Sequence, residues 1–369
     1  MIEKGKISTR QFTILVFMFS LGTSVISLPS LVATFAQENA WISLTLTCLL
    51  GLLIVYLLIR VSNIDQKKNV FEIMERVFGK KIGKGITSLF LIFLMFLTAA
   101  NIWQIGMFIT TQIMVETPIQ VFSLLFIITS LIGVKMGLEV IGRSSEVFFP
   151  YAFLSLIIMM ILVSPQIDFT NIQPVLQKNV SGIFLSIFPT MATPFFELCV
   201  LLAILPYVEK SKEARKCFYI GVVFASILLI AITFMSLAVL GVEFTTRNLF
   251  PTYILGKKIS IAAFLERIEI LVAIAWFFTI YFKITINFYV LSLGLSHLFQ
   301  LKTPKVLSTP MSFILVVLGA YLGPNVIHYV EYISYYWAPF TATFGLVLPI
   351  VILVISKMRK GNKQKTSST

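Results

Sequence analysis

Apolar runs long enough to cross a bilayer recur along the whole chain, at about 11–35, 40–60, 85–114, 119–136, 146–163, 180–205, 217–241, 264–298, 307–322 and 334–356. About 20 apolar residues match the hydrocarbon thickness of a membrane, where every backbone N–H and C=O needs a partner inside the protein. Helices meet that condition within one segment, so the pattern predicts an all-α integral membrane protein with about ten transmembrane helices. Composition agrees, with 58% hydrophobic and 12% charged residues, against about 25% charged in a soluble domain. Cys48, Cys199 and Cys217 are scattered and odd in number, so they predict neither a disulfide framework nor a metal site. The charged start runs into a long span with no small-residue cleavage site, which reads as a retained first helix.

The polar segments between the runs set the orientation. Gln37-Glu38-Asn39 makes a short turn between spans one and two, and Asn69 to Gly85 mixes apolar and basic residues as an interfacial helix does. Glu243 to Ala263 is too polar to cross and is expected to lie over one mouth of the protein. With ten spans and a cytoplasmic N-terminus, 23 of the 29 Lys and Arg fall on the cytoplasmic side. The positive-inside rule then places both termini in the cytoplasm, with residues 1–358 as a single transmembrane domain and 359–369 as a basic tail. The net charge of +13 therefore reflects orientation and contact with anionic lipid, and no nucleic-acid partner is expected.

Two spans carry breaking signals. The first contains Gly22-Thr23-Ser24-Val25-Ile26-Ser27-Leu28-Pro29, and the sixth contains Pro189-Thr190-Met191-Ala192-Thr193-Pro194-Phe195-Phe196-Glu197. Proline removes a donor and clashes with the preceding turn, and the freed backbone groups are tolerated only against protein or a wet cavity. Breaks five spans apart fit a 5+5 inverted-repeat permease fold with discontinuous helices 1 and 6, whose half-helix ends meet at the midplane. In that architecture the half-helix ends hold the ligand, and Thr23, Ser24 and Ser27 supply hydrogen-bonding groups at the first break.

Charged side chains at membrane depth point the same way. Lys283 lies near the centre of span eight, and Thr279, Lys283 and Asn287 share one helix face. Its stem is too short to reach either interface, so it is expected to face the interior with Glu197 as charge partner. In span three, Phe93, Leu97 and Asn101 share a face, with Gln104 nearby, as the wall of a small-molecule pocket would. Arg143 with Glu146, and Arg267 with Glu266 and Glu269, read as structural ion pairs near the interface. His297 and His328 lie at opposite ends of the fold. No metalloprotease, phosphate-loop or dinucleotide motif appears, and no nucleophile–base pair can be drawn, so catalytic residues, metals and cofactors are not expected.

The Gly22 to Pro29 stretch resembles the broken first helix of the amino acid–polyamine–organocation permease superfamily. Further segments together resemble the B subunits of bacterial spore germinant receptors. These are Ile7-Ser8-Thr9-Arg10-Gln11-Phe12, Phe78-Gly79-Lys80-Lys81-Ile82-Gly83, Thr117-Pro118-Ile119-Gln120 and Gly142-Arg143-Ser144-Ser145-Glu146-Val147-Phe148-Phe149-Pro150, with Ile172-Gln173-Pro174-Val175-Leu176 and Phe264-Leu265-Glu266-Arg267-Ile268-Glu269. The resemblance implies a subunit in the spore inner membrane that works with A and C subunits. It also implies a small-molecule germinant, an amino acid or a sugar, held among spans one, three, six and eight by Gly22, Thr23 and Ser24, by Phe93, Leu97 and Asn101, by Thr193, Phe195 and Phe196, and by Lys283 with Asn287. Ser24 stands where the superfamily often has a second glycine. Lys283 is unusual for a simple amino acid site and suggests a cationic wall suited to an anionic or hydroxyl-rich ligand.

Two roles share this fold: a sensor of a small polar nutrient, and a proton-coupled amino acid permease that works by alternating access through Glu197 and Lys283. A fixed ammonium beside the broken first helix replaces a bound cation electrostatically. Nutrient binding by the purified protein is therefore expected to be unchanged when sodium is replaced by choline, and a strict sodium requirement would refute that role for Lys283.

Overall fold

The computed structural model describes residues 5–177, 179–258, 268–323 and 333–366. Glu266, Arg267, His328 and the end of the polar stretch at 259–263 lie outside them. All of the named elements are helical, joined by one isolated β-bridge. The helices are α1 (Thr9–Leu21), α2 (Ser24–Ala36), α3 (Ala40–Ser62), α4 (Val70–Phe78), α5 (Lys80–Gln112), α6 (Ile119–Met136), α7 (Leu138–Val163) and α8 (Val180–Met191). After the 3₁₀ segment Phe196–Ala203 come α9 (Ser211–Leu240), α10 (Val242–Arg247), α11 (Pro251–Lys257), α12 (Glu269–Leu298) and α13 (Ser308–Leu322). The last span combines the π-helical turn Ile333–Trp337, α14 (Ala338–Ala342), a second π-turn Thr343–Val347 and α15 (Leu348–Thr366). Nine stretches among the described residues are long and apolar enough to cross a membrane, and α1, joined end to end with α2, completes the first of the ten crossings.

Local chemistry fixes the helix ends. Ser8 Oγ accepts from the Gln11 N–H at 3.1 Å while Gln11 Oε1 accepts from the Ser8 N–H at 3.0 Å, a reciprocal cap that starts α1. Asn69 and Glu72 make the same box at α4. Gly79 and Gly137, at φ 89° and 98°, sit between α4 and α5 and between α6 and α7. Those conformations suit glycine alone, so the chain turns there with a single residue between helices. As a result α5 and α7 begin earlier than their apolar runs suggest. The interfacial helix is only Val70–Phe78, with Val70, Phe71, Ile73, Met74 and Val77 buried.

The early start of α7 also corrects the expected ion pairs. Arg143 and Glu146 lie on the first turns of α7; Arg143 pairs with Glu139 at 2.5 Å on its own helix. Glu146 instead meets Arg10 at 3.7 Å and accepts from Gln11 Nε2 at 3.0 Å, tying span five to span one.

One end of the bundle gathers both termini of the described chain. Ile7 donates to the Tyr207 carbonyl and accepts from the Glu209 N–H, both at 3.0 Å, and Gly142 leaves room for its side chain. Arg359 reaches the Arg76 carbonyl at 3.4 Å, and His297 stands 3.2 Å from Glu75 at this same end. Helices α10 and α11 pack over the other half of the first crossing, at the opposite end.

The glycines that carry the packing are specific ones. A Cβ on Gly83 would fall 2.5 Å from the Glu75 Cα, where α5 folds back on α4, whereas nothing lies near Gly85 on the exposed face of the same helix. Gly83→Ala is expected to lower stability by about 1–3 kcal/mol and Gly85→Ala to raise it by about 0.5–1 kcal/mol. Thermal unfolding of the two variants in detergent reads the difference, and shifts of the same sign would contradict this packing.

Candidate functional site

The first crossing breaks at Gly22-Thr23, ahead of the proline expected to break it. Pro29 lies inside α2. Its ring would normally strand the Val25 carbonyl four residues back, but the buried Thr252 hydroxyl of α11 donates to that oxygen at 2.8 Å. The helix therefore runs through the proline, and the break falls where glycine ends α1. A side chain at Gly22 would collide with Lys283, so α1 and α12 approach there at glycine distance. The sixth crossing is likewise helical through Pro189 and unwinds at residues 192–195, before the 3₁₀ segment. Ser24 Oγ donates to Thr193 Oγ1 at 3.0 Å, joining the two breaks directly.

Between them lies a buried charge network. Lys283 Nζ is 2.6 Å from Glu197 Oε2, and both side chains are 0% exposed. The ammonium also donates to Thr23 Oγ1 at 3.0 Å and to the Thr193 carbonyl at 3.5 Å, and it sits 5.3 Å from the centre of the Phe19 ring. The ammonium thus faces a carboxylate, a hydroxyl and a carbonyl, the last released by unwinding. Glu197 Oε1 accepts from Trp337 Nε1 at 3.0 Å. Such bonding is what a buried ion pair needs to offset the desolvation of two charges.

A cavity of about 670 Å³ opens from this network toward the α10 end of the bundle. Its deep wall holds Thr23, Ser27, Asn101, Gln104, Thr193, Glu197 and Trp337; Thr34, Phe35, Thr246, Leu249 and Tyr335 stand farther out. Asn101 is 3% exposed, and its Nδ2 has no hydrogen-bond partner among the described residues. A buried, unpaired amide donor on a cavity wall is costly unless something enters to accept from it.

The expected site residues divide between the wall and the core. Thr23, Asn101, Thr193 and Glu197 border the cavity; Gly22 and Ser24 shape the break beside it. Lys283 stands behind Glu197 and does not border the cavity, so the wall presents a carboxylate where a cationic wall was expected. Phe93 stacks on Phe344 at 4.5 Å and is fully buried, as is Leu97. Phe195 points at Gly51 of α3, and Phe196 packs against Gly345 and Phe188. Asn287 is fully buried away from the cavity, and neither amide atom has a partner among the described residues. Ser27, a hydrogen-bonding group expected at the first break, borders the cavity too, whereas Trp337 was not anticipated. A tryptophan inside an apolar run whose N–H needs a buried acceptor was the available signal for it.

Two opposed broken helices around a midplane cavity define a permease fold of the inverted-repeat kind. The chain is similar to a Na⁺-coupled sialic acid symporter solved substrate-bound and outward-open, with a TM-score of 0.66 at 14% identity over 93% of this chain and 79% of that one. It is also similar to a nucleobase-cation-symport-1 family transporter, with a TM-score of 0.62 at 11% identity over 95% and 80%. Within that class the sequence is particular: residues 6–327 match the spore germination protein family, and the chain belongs to it. Spore germination protein KB of Bacillus subtilis (strain 168) is 26% identical over 99% of this chain and 98% of its own length.

Removing the lysine alone leaves a buried carboxylate without its cation. Lys283→Met is expected to destabilise the protein by about 3–5 kcal/mol, and Lys283→Met with Glu197→Gln by markedly less. Thermal unfolding of the wild type, both single variants and the double variant measures the coupling; strictly additive losses would show that the two charges do not act as a pair.

Proposed function

We propose that this chain is the nutrient-sensing membrane subunit of a spore germination receptor, binding an amino acid or a sugar in the midplane cavity. The observation that carries the reading is the cavity wall, where a carboxylate and an unpaired amide donor meet at two broken helices. Family membership adds the biological setting. An entering ligand supplies an acceptor to Asn101 and a donor to Glu197, while the start of α2, which no side chain caps, attracts negative charge. A zwitterion and a polyhydroxylated ring both meet those terms. The ligand acts as a signal only through unequal affinity for two conformations of the bundle.

The subunit sits in the spore inner membrane with A and C partner subunits, and both termini face the cytoplasm. Basic residues crowd the end of the bundle that holds Ile7 and Arg359, which supports a cytoplasmic placement of that end. The cavity then opens toward the outer face, from which a nutrient arrives.

The symporter-like fold supports a second reading, a proton-coupled amino acid permease. Two measurements separate them. Spores lacking the gene are expected to lose germination toward one nutrient or a few in a screen of single amino acids and sugars, with germination by other stimuli intact. Proteoliposomes holding the chain alone are expected to show no uptake of the nutrient so identified. Normal germination on every nutrient would refute the sensor, and proton-driven uptake would establish the permease.

A further inference from the structure

The tenth span has an irregularity that ion pairing and cavity lining leave unexplained. It runs as a π-turn, Ile333–Trp337, then α14, then a second π-turn, Thr343–Val347. Single π-turns within helices concentrate at functional sites. Both turns touch the sixth span beside its break. From the first, Trp337 Nε1 donates to Glu197 Oε1 at 3.0 Å. At the second, Gly345 lies so close to the Phe196 backbone that a Cβ there has no space. Trp337 is 2% exposed and borders the cavity along with Ala338 and Pro339.

Glu197 is therefore held by two different spans, through Lys283 of α12 on Oε2 and Trp337 on Oε1. The two holds are unequal. The lysine bond joins opposite charges, whereas the indole is a neutral donor, and charge on both partners makes the stronger bond. A ligand donor that reaches the carboxylate displaces the indole first.

We propose that Trp337 is a positioning residue for nutrient sensing: its N–H sets the Glu197 carboxylate at the cavity wall, and occupancy of the cavity reaches the tenth span through that bond. The proposal rests on the reading that the cavity holds the nutrient. A π-turn contains one residue more than an α-turn. Moving it along the helix rotates the residues between by about 100°, so the span can turn without displacing its ends.

The test uses spores in which this chain belongs to the sole remaining nutrient receptor, challenged with a dilution series of mixed L-amino acids and D-glucose. Trp337→Phe keeps an aromatic ring and loses the donor. Its half-maximal response is expected at about tenfold higher nutrient, the effect of one hydrogen bond to a charged group, with protein level unchanged by immunoblot. Trp337→His keeps a ring N–H and is expected to recover part of the shift. A Trp337→Phe response superimposable on the wild type, or equal losses in both variants, would overturn the role of the N–H and leave the cavity reading standing. Failure of wild-type spores to respond would overturn both. If Trp337→Phe does not accumulate, amide exchange across residues 333–347 of the wild-type protein decides alone. Faster exchange with the nutrient mixture supports the proposal, and unchanged exchange overturns it.

Discussion

The pairing of Lys283 with Glu197 is the interaction on which the centre of this bundle depends, because it solves two problems at once. Breaking a helix at mid-membrane releases backbone groups that lipid cannot satisfy, and burying either charge alone is costly. The ammonium answers the Thr193 carbonyl and the Thr23 hydroxyl as well as the carboxylate, so spans one, six and eight are joined at one atom. Glycine at position 22 is what lets the lysine come that close. Trp337 then extends the network to a fourth span.

The same physics explains which parts of the molecule were legible in the sequence. A lysine and a glutamate inside apolar runs stand out because membrane burial makes isolated charge so unfavourable, and the lysine–glutamate contact follows from having few possible partners. Helix breaks were legible as regions but not as residues. Pro29 looked like the break, yet whether a proline interrupts a helix depends on who satisfies the carbonyl it strands, and Thr252 lies 227 residues from Val25 in sequence. Helical spacing grouped Phe93, Leu97 and Asn101 on one face, but a face wide enough to hold three residues spans two environments. Asn101 reaches the cavity while Phe93 turns into an aromatic cluster with Phe344 and Phe340. Asn287 shares its face with Lys283 and still lies in the core, because one helical turn along α12 leaves the level of the breaks.

Placing the carboxylate on the wall and the ammonium behind it changes what the cavity can select. Glu197 borders the space with its side chain fully buried and its charge largely answered by Lys283, so the wall carries no strong net field. A cavity of that kind favours ligands that are neutral overall and carry donors and acceptors close together, and it gives a simple anion little reason to enter. The apolar surroundings, from Leu28 and Leu31 to Phe188 and Phe250, leave room for a hydrocarbon portion on one side of the polar group.

A sensor and a carrier differ in how many conformations the ligand must drive them through. A carrier has to open its far side, and here that side is closed by short-range ties. These are the backbone pairing of Ile7 with Tyr207 and Glu209, and the contacts of Arg10 and Gln11 with Glu146. Exposed ion pairs contribute little, at about 0–1 kcal/mol each, but the Ile7 pairing is buried and bonds its N–H and its carbonyl. A ligand whose differential affinity moves only the tenth span can signal without breaking those ties. Moving substrate through would require breaking all of them in each cycle. On that comparison the interactions at the closed end favour a molecule that reports occupancy over one that transports.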